Sequence, residues 1–191
     1  NENFYECSDL IMNISKQTVN IVKNVAENKP RTDWDCTYVP HGIPEDNFKP
    51  INELDVKGYD EMDKFRKSIL HNRDKDFVVF WCNRNIRRKV PGDVILSYKT
   101  FCDTLTKEQA DKCVLVMHTA PVDQNGTDLP AVVEEMCPDY DVIFSHQRLD
   151  DKHMNYMYNI ADVQINMASN EGFGLGTAEA VMAGTPAIVN V

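Results

Sequence analysis

The sequence predicts an α/β protein built on a doubly wound parallel sheet, and three observations carry that expectation. From Asp76 onward, unbroken apolar runs alternate with segments of helical apolar spacing. The runs are short and lack a polar face, the mark of strands covered on both sides. Each strand is separated from the next by a helical segment, so neighbouring strands are joined by crossovers and lie parallel.

Taken in order, FVVFWC (77–82) is the first such strand. PGDVILSYKTFCDTL (91–105) is a helix with Pro91 in its first turn, where a missing N–H costs nothing. CVLVMHT (113–119) is a strand, LPAVVEEMC (129–137) a helix and VIFSH (142–146) a strand. KHMNYMYNIA (152–161) is a helix, VQINMA (163–168) a strand, GLGTAEAVMAG (174–184) a helix closed by Gly184, and PAIVNV (186–191) the last strand. Five strands and four helices in this order describe a Rossmann-like domain. Before it, DLIMNIS (9–15) reads as a strand and KQTVNIVKNVAEN (16–28) as a helix. TYVPHGIPEDNFKP (37–50) reads as a strand dissolving into a loop, and ELDVKGYDEMDKFRKSIL (53–70) as a charged helix. The expected division is residues 1–44 as the end of a preceding α/β unit with a hinge, and 45–191 as the sheet domain. Both ends of the chain read as cut.

Composition narrows the partners. The 191 residues are 42% hydrophobic and 26% charged, and 20 Lys+Arg stand against 30 Asp+Glu for a net charge of −10. An acidic surface repels nucleic acid and anionic membranes, so neither is expected. No apolar run reaches the roughly 18–20 residues of a transmembrane span. The six cysteines (Cys7, Cys36, Cys82, Cys102, Cys113, Cys137) form no C-x-x-C pair and read as reduced, which with the absence of a secretory signal points to the cytoplasm. No metal or cofactor is expected, and the sequons at Asn13 and Asn125 read as accidental.

Two constellations could carry chemistry. EGFGLGTAEAVMAGTP (171–186) follows a strand and opens a helix, with glycines at 172, 174 and 176. Such a turn lets backbone N–H groups approach a ligand, and the helix start behind it favours an anion by about 0.3–1 kcal/mol. Glu171 and Glu179 bracket the turn, and a carboxylate accepts hydrogen bonds from two vicinal hydroxyls at once. From spacing alone, a solvated acid and a dipole-complementing glutamate account for the pair equally well. The second constellation is NRNIRRK (83–89), where Arg84, Arg87, Arg88 and Lys89 stand at the carboxyl end of a strand, the edge at which open α/β sheets bind ligands. Alone, it is equally readable as a solvated loop. Together, cations on one loop and a dipole with carboxylates on another suit a phosphorylated, hydroxyl-rich ligand such as a nucleotide-sugar. Cleaving its anomeric bond loads charge onto the departing diphosphate, which Arg and Lys can neutralise.

Three blocks resemble the retaining glycosyltransferases of GT-B fold, in particular the large family 4 ("group 1"), and within them the carboxyl-terminal donor-binding half. YVPHGIPEDNFKP resembles the hinge, FWCNRNIRRK the Arg…Lys loop, and YNIADVQINMASNEGFGLGTAEAVMAGTPAIV the paired-glutamate signature. The resemblance implies transfer of a sugar from a UDP- or GDP-sugar to a hydroxyl acceptor such as a glycan, lipid or protein, with retention and without a metal. It implies that Arg84 and Lys89 grip the donor diphosphate, that Glu171 contacts hydroxyls of the transferred sugar, and that the backbone of Gly172, Phe173, Gly174 and Leu175 cradles sugar and phosphates. Glu179 is implied to hold the ribose hydroxyls, and FSHQRL (144–149) to pack on the nucleobase. His41 and His118 are expected to be structural or bystanders. The sequence departs from the family in its missing amino-terminal loops and in Gly176, which replaces a bulkier residue. The competing readings are a donor-binding module without transfer and, on the GFGLG turn alone, a dinucleotide-dependent oxidoreductase.

Overall fold

The computed structural model describes residues 2–26 and 35–190. By contacts the chain forms two units, one of residues 1–42 with 171–175, the other of 43–170 with 176–191.

In the first unit, β1 (Ile11–Asn13) and β2 (Cys36–Tyr38) pair in parallel, with α2 (Lys16–Val25) between them in sequence. A short α1 (Glu2–Glu6) precedes them. Ser15 caps α2 by accepting the Thr18 N–H at 3.1 Å, satisfying one of the orphan donors of the first turn. The helix ends at Val25, and residues 27 and 28 of the predicted helix lie outside the described residues.

The second unit holds the predicted sheet: β3 (Phe77–Cys82), β4 (Cys113–His118), β5 (Val142–Ser145), β6 (Val163–Asn166) and β7 (Ala187–Val189). The strands are all parallel, in the order β5-β4-β3-β6-β7. Around them lie α3 (Val56–Ile69), α4 (Pro91–Cys102), α5 (Lys107–Ala110), α6 (Leu129–Met136), α7 (Asp151–Ile160) and α8 (Leu175–Met182). The sheet is covered on both faces because successive residues of β3 and β4 feed opposite cores. Val78, Phe80, Val114 and Val116 pack with residues of α3, α7 and α8, while Val79, Trp81, Leu115 and Met117 pack with residues of α4 and α6. Each such large side chain contributes about 1.5–3 kcal/mol when fully buried. On the second face, Ile165, Met167 and Ile188 line an apolar groove of about 430 Å³ with Tyr98 and Phe101 of α4.

The boundaries shift where side chains act as caps. The acidic start of the predicted helix 53–70 is its cap, with Asp55 accepting the Gly58 N–H at 3.0 Å. The one-turn α5 was not expected. A capping box holds it, with Thr106 and Gln109 satisfying each other's backbone N–H.

Segment 47–51, entering the sheet domain, is stitched to one face of α7. Asn47 donates to Asp151 at 2.7 Å, the Lys49 N–H to Asn155 Oδ1 at 3.1 Å, and the Ile51 N–H to Asn159 Oδ1 at 2.7 Å. Asn159 Nδ2 in turn donates to the Lys49 carbonyl at 3.0 Å. Residues 151, 155 and 159 recur every helical turn, so they present one row of polar groups to an extended chain. Among the described residues, no helix is long and apolar enough to cross a membrane.

Candidate functional site

The strand order places a topological switch between β3 and β6: the chain goes one way from β3 through β4 to β5 and the other way through β6 to β7. Ligands of open α/β sheets bind in the crevice at such a point, beyond the carboxyl ends of the strands. The loops that follow β3 and β6 carry the basic cluster and the approach to the glycine turn.

The loop after β3 is held by its backbone. Arg87–Lys89 form a 3₁₀ turn where a plain loop was expected. Next comes Val90, at φ 43° and ψ 50°, a left-handed conformation that is a genuine outlier for a β-branched residue and doubly unfavourable before Pro91. The strain, of order 1–3 kcal/mol, persists only because the surroundings over-determine it. They do so visibly. The Arg88 carbonyl accepts from Ser169 N at 2.9 Å and from its hydroxyl at 3.2 Å, and the Arg88 guanidinium donates to the Asn170 carbonyl at 2.7 Å. Behind the turn, fully buried Asn85 clamps the loop after β4: its Nδ2 donates to the carbonyls of Ala120, Pro121 and Thr127, and its Oδ1 accepts the Thr127 N–H at 3.1 Å.

Each basic residue can now be placed. Lys89 is buried, at 7% exposure. Arg84 is exposed and donates to Asp123 at 3.0 Å, holding that carboxyl below the usual carboxylate range, with the Asn125 N–H adding to the effect. Arg87 lines a polar cavity of about 560 Å³ with Pro91, Asp93 and residues 124–127.

Glu179 lies in α8, half-buried, and Oε2 accepts the Tyr158 hydroxyl at 2.7 Å. Beside it, Asn166 at the end of β6 donates to the Thr177 hydroxyl at 3.2 Å. Cys82 is the last residue of β3. Burial pushes its thiol up to about 12, the Glu179 carboxylate adds to that shift, and Lys89 opposes it. Lys89 stands in the 3₁₀ turn that follows β3, and Glu179 reaches the end of the same strand beside Tyr158. Gly176 lies over the same spot, and a Cβ there would stand 3.5 Å from the Tyr158 hydroxyl and 3.7 Å from the Cys82 carbonyl, ordinary contact distances.

The residues Glu171 to Leu175 belong by contacts to the first unit. There Gly172 lies against Ile14, the Phe173 ring meets His41 edge-on at 5.2 Å, and Gly174 takes φ 86°. Of the other candidates, residues 144–147 and Leu149 line a groove of about 310 Å³ with Phe65, Ile69 and His71. His118 bonds Ser145 at 3.0 Å, and burial followed by the nearby His146 holds its imidazole below the ordinary histidine range. Among the described residues, no three His, Cys, Asp or Glu side chains gather in a way that could hold a metal ion.

No family model matches the chain, and no curated protein does. Solved structures do. The α,α-trehalose 6-phosphate synthase of Burkholderia multivorans superposes with a TM-score of 0.75 at 11% identity, covering 98% of this chain and 46% of that one. The sucrose-phosphate synthase of Thermosynechococcus elongatus gives 0.69 at 19%, covering 98% and 42%. HepE of Anabaena in complex with UDP-glucose gives 0.69 at 13%, covering 95% and 44%. The likeness is one of fold. It gives the Rossmann-like arrangement of a GT-B domain, and the chain spans about half the length of these neighbours.

Proposed function

We propose that this chain is the donor-binding half of a retaining glycosyltransferase that moves a sugar from a nucleoside diphosphate sugar to a hydroxyl acceptor. The observation that carries the reading is the Glu179 carboxylate, held by Tyr158 beside the end of β3 at the sheet's switch point, with the basic 3₁₀ turn Arg87–Lys89 on the loop that follows the same strand. A cation there suits a diphosphate, and a carboxylate suits the cis-diol of a ribose. The fold is shared with HepE, whose structure holds UDP-glucose, and that neighbour supports a nucleotide-sugar as the ligand class.

In the proposed reaction the acceptor oxygen bonds to the anomeric carbon as the bond from that carbon to the phosphate oxygen breaks. The acceptor's proton passes to the departing phosphate oxygen. Lys89 neutralises the charge developing on the diphosphate, and its burial makes that interaction stronger than it would be in water. Arg84, whose own side chain is exposed, adds to this by exchanging Asp123 for phosphate. Glu171 is assigned the hydroxyls of the transferred sugar, the backbone of Gly172, Phe173, Gly174 and Leu175 the cradle, and no metal enters the proposal.

Calorimetric titration with UDP, GDP and ADP tests the site. At least one is expected to bind below the millimolar range, and Glu179→Ala to weaken it tenfold or more. Absence of binding, or an unchanged affinity in the variant, overturns the reading. The competing reading is a module that binds donor without transfer. Release of free sugar from a UDP- or GDP-sugar separates the two.

A further inference from the structure

Tyr158 is a core residue by every measure except one. Its ring is fully buried, 5.5 Å from that of Phe80 and 6.0 Å from that of Phe48, both edge-on. Its backbone carbonyl accepts the Thr185 hydroxyl at 2.6 Å, which pins the end of α7 from the other side. In such a place phenylalanine would pack as well, and a buried hydroxyl without a partner costs about 1–3 kcal/mol. The hydroxyl has one partner, Oε2 of Glu179 at 2.7 Å. Among the described residues, Tyr158 is also the single hydrogen-bond partner of the Glu179 side chain.

A glutamate side chain has three rotatable bonds and a broad terminal torsion, so on a helix surface it samples many orientations. A rigid phenol anchored at both ends removes that freedom before a ligand arrives, and preorganisation of this kind raises affinity by lowering the ordering cost. We propose that Tyr158 is the positioning residue for Glu179, fixing Oε2 from beneath so that Oε1 and the remaining lone pair of Oε2 face the two hydroxyls of a ribose. The proposal rests on the donor-site reading above and deepens it.

The decisive measurement compares the nucleoside diphosphate that the wild-type protein binds with its 2′,3′-dideoxy analogue, in wild type and Tyr158→Phe. Wild type is expected to bind the analogue at least tenfold more weakly. Tyr158→Phe should lose about five- to tenfold for the natural nucleotide, about the net worth of one ordinary hydrogen bond, and less than twofold for the analogue. The double variant with Glu179→Ala should bind no more weakly than Glu179→Ala alone. Equal losses for both ligands would reduce Tyr158 to a structural role and overturn the proposal while leaving the site intact. So would an unchanged affinity in Tyr158→Phe where Glu179→Ala is impaired. A wild-type protein indifferent to the ribose hydroxyls overturns the site reading itself, and the proposal with it. Glu179→Gln is the second variant, needing no change in the core. Its amide oxygen can keep the Tyr158 bond and present its NH₂ group to the diol, so it should retain more affinity than Glu179→Ala, and equal loss would overturn the proposal.

Discussion

The loop after β3 and the carboxylate on α8 reach the same strand end by opposite means. Lys89 is placed by backbone: a 3₁₀ turn, a left-handed valine and bonds from Ser169, with the neighbouring loop clamped by Asn85. Glu179 is placed by one hydroxyl on one buried ring. A group held by many bonds fails only when its loop fails, so changes around Lys89 should register first as lost stability. A group held by one bond can lose its aim while the fold persists, so changes around Glu179 should register first as lost affinity.

The sharpest way to break this contrast is Asn85→Ala. It leaves three carbonyls and one N–H of the loop after β4 without their side-chain partner, at a cost of about 3 kcal/mol. The urea midpoint should fall accordingly. A variant as stable as wild type would mean that the clamp holds nothing. Val90→Gly comes next and has the opposite sign. It relieves the left-handed strain and should gain about 1 kcal/mol, because the strain exceeds glycine's entropic penalty. If thermal unfolding shows a loss instead, the valine side chain matters more than its backbone. Gly176→Ala should have the smallest effect, within about 0.5 kcal/mol, since its Cβ meets only ordinary contacts and alanine suits a helix better. Nucleotide affinity in this variant should match wild type, and a drop would show that the turn over Cys82 tolerates less than its spacing allows.

The sheet was legible in the sequence because its signals are local. FVVFWC and CVLVMHT have no polar alternation, and β3 and β4 lie where those runs predict, one residue shorter in the second case. The turn of α5 has a local signal too: Thr106-x-x-Gln109 is a capping-box pattern. What could not be read is whatever depends on distant partners. Asn85 sits among arginines and looks like a solvated loop residue, yet its four bonds reach 35–42 residues ahead. Tyr158 has the spacing of a core residue, and nothing in KHMNYMYNIA announces that its hydroxyl meets a carboxylate 21 residues on. Val90 is the least readable of all, because propensity argues against the conformation it adopts. Of the candidate site residues, Glu179 is held by Tyr158, and Arg84 is turned to Asp123.

The rungs between segment 47–51 and α7 carry a consequence for how this chain could vary. Alternate residues of the entering strap are matched to steps of a helical staircase, so adding or removing one residue between 47 and 51 would put every later tooth out of mesh. The meshed stretch thus works as a ruler that sets where the chain leaves α7 for the start of α3.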